Sequence, residues 1–268
     1  MWKDAYRCAV LLCFDFDAES LWIADGAGTP THLSRGAYGA RVGVPRILNL
    51  LERQGLPATF FVPADTARRH PGIVRDIQAA GHETGHHGDV HESPAALDLD
   101  EERRVLETGL RTLEEVTGER PLGYRSPAWD LSPNSLALLA EYGFLWDSSL
   151  MGDDFQLYRV GPGPGEGDLV EIPVSWELDD APHFLFDFSP DYTVGLSAPS
   201  KVLEIWTSEF DGAYAEGGVF VLTMHPQIIG RCHRLAMLEE LLRYIQGHEG
   251  VWFATCTGAV KDWLSRQS

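Results

Sequence analysis

Along the chain, short and almost wholly apolar runs alternate with longer stretches in which apolar residues recur at helical spacing. The first run, 8–16, is apolar without a break until Asp15, and Asp17 follows two residues later; it predicts a fully buried strand that ends in two acids. Runs of strand length recur at 58–63, 82–85, 123–125, 144–146, 170–174, 219–224 and 251–254. Between them the pattern is helical. The segment 44–55 opens with Pro45 in a first-turn position and stops at Gly55. In 100–116, Val105, Leu106, Leu110, Leu113 and Val116 define one apolar face. Helices are also predicted over 71–80, from Ser132 to Tyr142, over 200–215 and 234–246, and after Thr257.

Strands that alternate with helices pair in parallel. Seven or eight such units in a chain of 268 residues predict a single domain, 1–268, of the α/β class: a distorted (β/α) barrel of seven or eight parallel strands. An open doubly wound sheet is the alternative, but the glycine- and proline-rich run 161–167 does not match a nucleotide-binding loop. The segment 24–43 is glycine-rich and predicted to be a loop. It is too long for a mere connection, so a functional role is expected for it.

Composition narrows the function. The net charge of −19, from 21 basic and 40 acidic residues, opposes binding to nucleic acid or to an anionic membrane. No run approaches the roughly 18 apolar residues of a membrane span, and the polar start is unlike a signal peptide; a cytoplasmic location is the expectation. The four cysteines form no C-x-x-C pair and read as buried thiols.

Placed on this pattern, the polar groups collect at the C-terminal ends of the strands, where parallel barrels assemble active sites. Asp15 and Asp17 end the first strand and, two residues apart, point to one face. The stretch 81–92, GHETGHHGDVHE, follows the third. Arg125 lies at the end of the fourth, Asp147 of the fifth and His225 of the seventh, and Trp176 follows the sixth. His87 and His91 have the i, i+4 spacing that lets two imidazoles meet one metal ion, but so do His82 and His86, and spacing cannot choose between them. One aspartate with two histidines would leave an open metal position for water and substrate, as catalytic zinc sites require. Trp129 and Trp176 are candidate walls for a substrate. Glu83 and Asp89 are candidate partners of the histidines.

Five motifs in order, FDFDAE at 14–19, HHGDVH at 86–91, GYRSPAW at 123–129, WDSSL at 146–150 and TMHP at 223–226, resemble the polysaccharide deacetylase (NodB-homology, carbohydrate esterase family 4) family over nearly the whole chain. That resemblance implies the distorted barrel and hydrolysis of a carbon–nitrogen bond other than a peptide bond. It also implies metal ligands Asp17, His87 and His91, a general base Asp15 oriented by Arg125, and a general acid His225 oriented by Asp147. The metal it implies is divalent, zinc first, with cobalt, iron or nickel also compatible. Phe16 separates the two aspartates, Pro127-Ala128-Trp129 follows the arginine, and EIPVSWELDD occupies 171–180. These variants resemble the subgroup of the Helicobacter-type peptidoglycan deacetylase and the metal-free allantoinases, which implies a homo-oligomer. The expected substrate is a small amide or imide, or an N-acetylated sugar. The alternatives are a metal-free ureide hydrolase and a non-catalytic barrel that binds sugar or metal. With 24–43 lying over the mouth or against a neighbouring subunit, a small enclosed pocket is expected.

Overall fold

The computed structural model describes residues 2–161, 169–187 and 195–267; the expected turn-rich loop at 161–167 falls almost entirely outside them. Among the described residues, nine strands form one sheet: β1 (Cys8–Asp15), β2 (Thr59–Val62), β3 (Glu83–His86), β4 (Gly123–Tyr124), β5 (Trp146–Asp147), β6 (Tyr158–Val160), β7 (Leu169–Glu171), β8 (Val219–Met224) and β9 (Val251–Ala254). Their order is β6-β7-β5-β4-β3-β2-β1-β8, and β9 also pairs with β1. Every pairing is parallel except β6 with β7. The antiparallel β6 is the strand the sequence pattern did not mark: three residues long and only partly buried, it has no apolar run to announce it.

The sheet curls into a parallel-rich half-barrel, as expected of the deacetylase-type barrel. One edge of β1 is shared, with β9 along Cys8–Leu11 and β2 along Cys13–Asp15. On its far side β8 meets the chain that follows β7, through a single parallel bridge between Asp179 and Thr223. The alternation of β1 sorts its side chains into two layers. Cys8, Val10, Leu12 and Phe14 face the helices, whereas Ala9, Leu11 and Cys13 face the barrel interior with Phe61, Trp146, Val170 and Val221. Continuing that second register delivers Asp15 to the inner face at the strand's C-terminal end.

The helices close the outside. α3 (Val44–Gln54) ends on Gly55 in the left-handed conformation, at φ 64°. α6 (Leu99–Thr117) begins with a capping box, in which the Asp98 side chain accepts from the Glu101 amide and the Glu101 side chain accepts from the Asp98 amide. Around them stand α4 (Ala64–Arg69), α5 (Pro71–Ala79), α7 (Ser135–Glu141), α8 (Asp180–Phe184), α9 (Pro199–Glu216), α10 (Pro226–Ile229), α11 (Cys232–Gln246) and α12 (Cys256–Ser265).

The segment 24–43 corrects the sequence reading. It is not a loop: α1 (Ser20–Ala24) leads to α2 (Pro30–Tyr38), and a π-helical turn over Gly39–Gly43 joins α2 to α3. Two of its glycines, Gly36 and Gly43, are places where another backbone lies against this one, whereas Gly26 and Gly28 stand in open space. A Cβ on Gly36 would meet the Ala18 carbonyl at 2.4 Å, and one on Gly43 would meet the Pro226 carbonyl at 2.2 Å. Gly36 and Gly43 thus mark close packing, while Gly26, at φ 71°, serves the turn between the two helices.

Inside the barrel, Gly123 faces the Trp146 indole, whose atoms an added Cβ would approach to 2.0 Å. Trp146 is fully buried and donates from Nε1 to Thr257 Oγ1 at 2.8 Å, so it has no free rotamer into which to retreat. Gly123→Ala is therefore expected to destabilise the protein by about 1–3 kcal/mol. Chemical denaturation checks this; an unchanged midpoint would show that the indole can move.

Candidate active site

Asp15, on the inner register of β1, is 2% exposed, and its Oδ1 accepts from Arg125 Nη1 at 2.8 Å. Arg125 follows β4 and is fully buried. Its Nε donates to the Ser148 carbonyl at 3.1 Å, its Nη2 to Ser148 Oγ at 2.8 Å, and its guanidinium lies 4.1 Å from the centroid of Phe61. Burial would raise the Asp15 carboxyl, but Arg125, His87 and His225 outweigh it and hold its pKa below the ordinary value.

Asp17 lies just beyond the strand and is wholly buried. Its Oδ1 stands 3.5 Å from His87 Nε2 and 3.9 Å from His91 Nε2. Its Oδ2 stands 3.8 Å from His225 Nε2 and accepts from Gln227 Nε2 at 3.2 Å. His87 bonds through Nδ1 to the Arg125 carbonyl at 2.8 Å, which puts the proton on Nδ1 and leaves the Nε2 lone pair facing Asp17. His91 reaches the same point because the loop turns through Gly88, at φ 74°, and through His91 itself, at φ 66°. Glu92 ties that loop down, accepting from the amides of Asp89 and Val90.

The ambiguity among the four histidines resolves in space. His86 points the other way, with its Nε2 at the Leu106 carbonyl, 3.2 Å distant, and His82 is buried against Phe60. Glu83 and Asp89 bond elsewhere: Glu83 accepts from Thr59 and the Thr257 amide at the opposite end of the strands, and Asp89 pairs with Arg68. Trp129 and Trp176 are brought together, with ring centroids 4.4 Å apart and Trp176 45% exposed. Ala128 and Trp129 both hold positive φ, at 52° and 54°, a strained turn directly after Arg125.

Asp17 Oδ1 is a buried oxygen with no hydrogen-bond partner. Burial pushes Asp17 up to about 7, and pushes His87 down to about 4 and His91 down to about 3. Two neutral imidazoles and a carboxylate with one unpartnered oxygen, their donor atoms all within 4.8 Å of one another, make a donor set that fits a divalent ion. Asp179, Asp180 and His225 are similarly close, but His225 Nδ1 is 2.6 Å from Asp180 Oδ1, a separation that holds a proton rather than a metal.

That bond corrects the expected partner of His225. Asp180, at the start of α8, orients the imidazole, also accepting from the His225 amide at 3.1 Å. Burial disfavours the imidazolium, but Asp179 and Asp180 outweigh it and raise the pKa of His225 well above the ordinary value. Asp147 makes no hydrogen bond to His225 among the described residues. Its Oδ1 accepts from Ser149 Oγ at 2.8 Å, and it is register partner to Glu171 across β5 and β7. Position at a strand end could not separate the two roles, because Asp179 and Asp180 lie eight or more residues past β7 and meet the end of β8 at the bridge to Thr223 and at His225. Gln227 was likewise not singled out in the sequence; a glutamine on a four-residue helix carries no spacing signal.

The family model described as polysaccharide deacetylase matches residues 35–145. A peptidoglycan deacetylase of Helicobacter pylori is 34% identical, covering 94% of each chain. This chain belongs to the polysaccharide deacetylase family. As a member, it is a hydrolase acting on carbon–nitrogen bonds other than peptide bonds. A solved polysaccharide deacetylase structure from Mycobacterium smegmatis is 41% identical and superposes with a TM-score of 0.92, covering 100% of this chain and 93% of that one. A solved allantoinase is 27% identical, with a TM-score of 0.85 and coverage of 98% and 92%. No described helix in this family member is long and apolar enough to cross a membrane.

Behind Arg125, Asp147 Oδ2 and Glu171 Oε2 are both buried without a donor, while Glu171 Oε1 accepts from the amides of Ser149 and Leu150. Burial raises both pKa values, Asp147 to about 6 and Glu171 well above its ordinary 4.5. Folded values above unfolded ones mean that the stability this pair contributes is present below about pH 4 and is lost as pH rises through 6. Glu171→Gln keeps the acceptor for the two amides and offers Asp147 a donor. The Tm advantage of this variant over the wild type is expected to grow between pH 4 and pH 7; a constant difference would mean the pair does not titrate there.

Proposed function

We propose that the chain is a metal-dependent amidohydrolase that removes an N-acyl group or opens a small cyclic amide or imide. The observation that carries the reading is the unpartnered, buried Asp17 Oδ1 facing the Nε2 atoms of His87 and His91. Those three side chains would hold one divalent ion, zinc first by their mixed nitrogen and oxygen donors, with cobalt, iron or nickel compatible. A bound ion supplies Lewis-acid polarisation of water and of the scissile carbonyl.

The remaining groups do the proton work. Asp15, kept ionised by Arg125, takes the proton of the attacking water. His225, whose Nδ1 is held by Asp180, presents Nε2 to the cleft and gives its proton to the departing nitrogen. Backbone N–H groups at the strand ends hold the oxyanion. Trp176, backed by the buried Trp129, offers an exposed aromatic face on which a ring can pack. The burial of Asp15, Asp17 and His87 supports a small substrate, an N-acetylated sugar unit or a cyclic imide. The likeness to the solved allantoinase favours a cyclic ureide as the second reading. Assembly into a homo-oligomer and a cytoplasmic location complete the proposal.

Asp15→Asn and His225→Ala are each expected to lower turnover by roughly 10²–10⁴; His225→Ala should keep its Tm, whereas Asp15→Asn, which takes the counter-charge from buried Arg125, should lower it as well. Asp180→Asn should follow His225→Ala, whereas Asp147→Asn should stay near wild type; the reverse order would restore Asp147 as the orienting acid. A panel of N-acetylated sugars from monomer to long oligomer, with hydantoin, succinimide and allantoin, tests substrate class. Efficient release of acetate from the long oligomer would end the small-substrate reading.

Metal analysis of protein purified without chelator is expected to find one divalent ion per chain, and His87→Ala should abolish its retention. A wild type that refuses added zinc, yet turns over allantoin, would establish the metal-free ureide hydrolase instead.

A further inference from the structure

The chain is strongly acidic, at −19, yet one concave part of its surface is basic. A cavity of about 280 Å³ is lined by Trp22, Arg35, Phe184, Gln227, Arg231 and Arg234, among others. Arg35 comes from α2, while Arg231 caps α11 and Arg234 stands in its first turn. Arg46 of α3 adjoins them through Tyr38: its Nη1 bonds the Tyr38 hydroxyl at 3.0 Å, and the Arg231 guanidinium lies 3.7 Å from that ring's centroid.

Arg35 is neutralised by Asp187 at 3.0 Å. Arg46, Arg231 and Arg234 form no ion pair among the described residues, in a chain with 40 acids to choose from. Asp180 attracts Arg234 from the barrel side, but it is already bonded to His225, while Arg231 and Arg35 repel Arg234. Arg234 donates to the carbonyls of Ile228 and Phe184, and its Nε is buried with no partner. The helix adds to the imbalance. α11 has 15 residues and no acid in its first turn, so its positive end faces Arg231 and Arg234. Like charges gathered in a pocket at a helix N-terminus are stable together when an anion joins them.

We propose that this pocket binds a small organic anion, a carboxylate or phosphate ester whose charged end meets Arg231 and Arg234 while its body packs against Phe186 and Leu196, the exposed apolar residues of the lining. Trp22 and Phe184 are buried beneath the arginines and carry guanidinium groups, Arg35 over Trp22 at 5.1 Å and Arg234 over Phe184 at 4.6 Å, so they hold the charge at the pocket from below. Gln227 lines the pocket and also donates to Asp17, so the anion lies one side chain from the catalytic groups. It is either the charged end of the substrate or a separate small anion.

The test uses the full chain, with phenyl phosphate and inorganic phosphate as probes and ionic strength held with chloride. Arg231→Gln is the informative variant, because Arg231 stacks on Tyr38 without a side-chain hydrogen bond to lose. Calorimetric titration is expected to show phenyl phosphate binding more tightly than phosphate, at least tenfold weaker binding in Arg231→Gln, and partial retention in Arg231→Lys. A second arm, which rests on the hydrolase reading, compares KM for matched N-acyl substrates with and without a carboxylate. If the substrate supplies the anion, the KM advantage of the charged substrate disappears in Arg231→Gln; if a separate anion binds, both KM values stay and only the titration changes. Failure to turn over either substrate would count against the hydrolase reading and leave the titration result standing. Binding that is no stronger than the chloride background, or unchanged in Arg231→Gln, would overturn the proposal. Loss of an oligomer in sedimentation of Arg231→Gln, with phenyl phosphate binding intact, would do the same and assign the patch to a second copy of the chain.

Discussion

Arg125 is a wholly buried guanidinium, and the polar end of the barrel is arranged around the need to satisfy it. An unpaired charge in that position would cost several kcal/mol, so its donors must all be met. Asp15 supplies the counter-charge, Ser148 takes two more donors, and the Phe61 ring accepts the face of the group. The same residue then reaches in a second direction. Its backbone carbonyl accepts from His87 Nδ1, which settles the histidine's tautomer and turns Nε2 toward Asp17. One residue thereby holds a carboxylate ionised against its burial and fixes the tautomer of an imidazole that burial already keeps neutral.

A second constraint operates on charge balance. The cleft gathers Asp15, Asp17, Asp179 and Asp180 around a single buried arginine and His225. Burial raises the pKa of Asp17, Asp179 and Asp180, while Asp15 alone, in contact with Arg125, is held low. The aspartates therefore divide by partner: Asp15 with the guanidinium, Asp180 with the imidazole, and Asp17 with one oxygen left over. The Asp147–Glu171 pair lies outside this set. Through Ser149, which donates to Asp147 and accepts from the Ser126 amide, it braces the turn that carries Arg125 from behind.

The surroundings are built by close approach of backbones. Gly36 and Gly43 seat the α2–α3 segment directly on Ala18 and Pro226, the neighbours of Asp17 and His225. Gly123 and Gly85 make room for Trp146 and Phe61 in the barrel interior beneath the polar end. The site is thus framed by contacts with no slack, and the positive φ of Ala18, His91, Ala128 and Trp129 is the local strain that such framing supports.

The sequence by itself determined the alternation of strands and helices, the parallel barrel class and the end of the barrel where the polar groups gather. Each of these follows from periodicity: the inner register of β1 carries Asp15 to the mouth, and strand C-termini are where the remaining groups fall. It also marked the histidine-rich stretch, though at equal spacing it could not tell His87 and His91 from His82 and His86. Only the tertiary structure decided that choice, because it depends on a turn through Gly88 and on a carbonyl 38 residues away at Arg125. It likewise gave His225 to Asp180 rather than Asp147, since the bridge from Asp179 to Thr223 joins segments that no local pattern links. Glycine was the residue type most open to misreading along the chain. A missing Cβ looks the same in sequence whether it serves freedom, as at Gly26, or contact, as at Gly36 and Gly43.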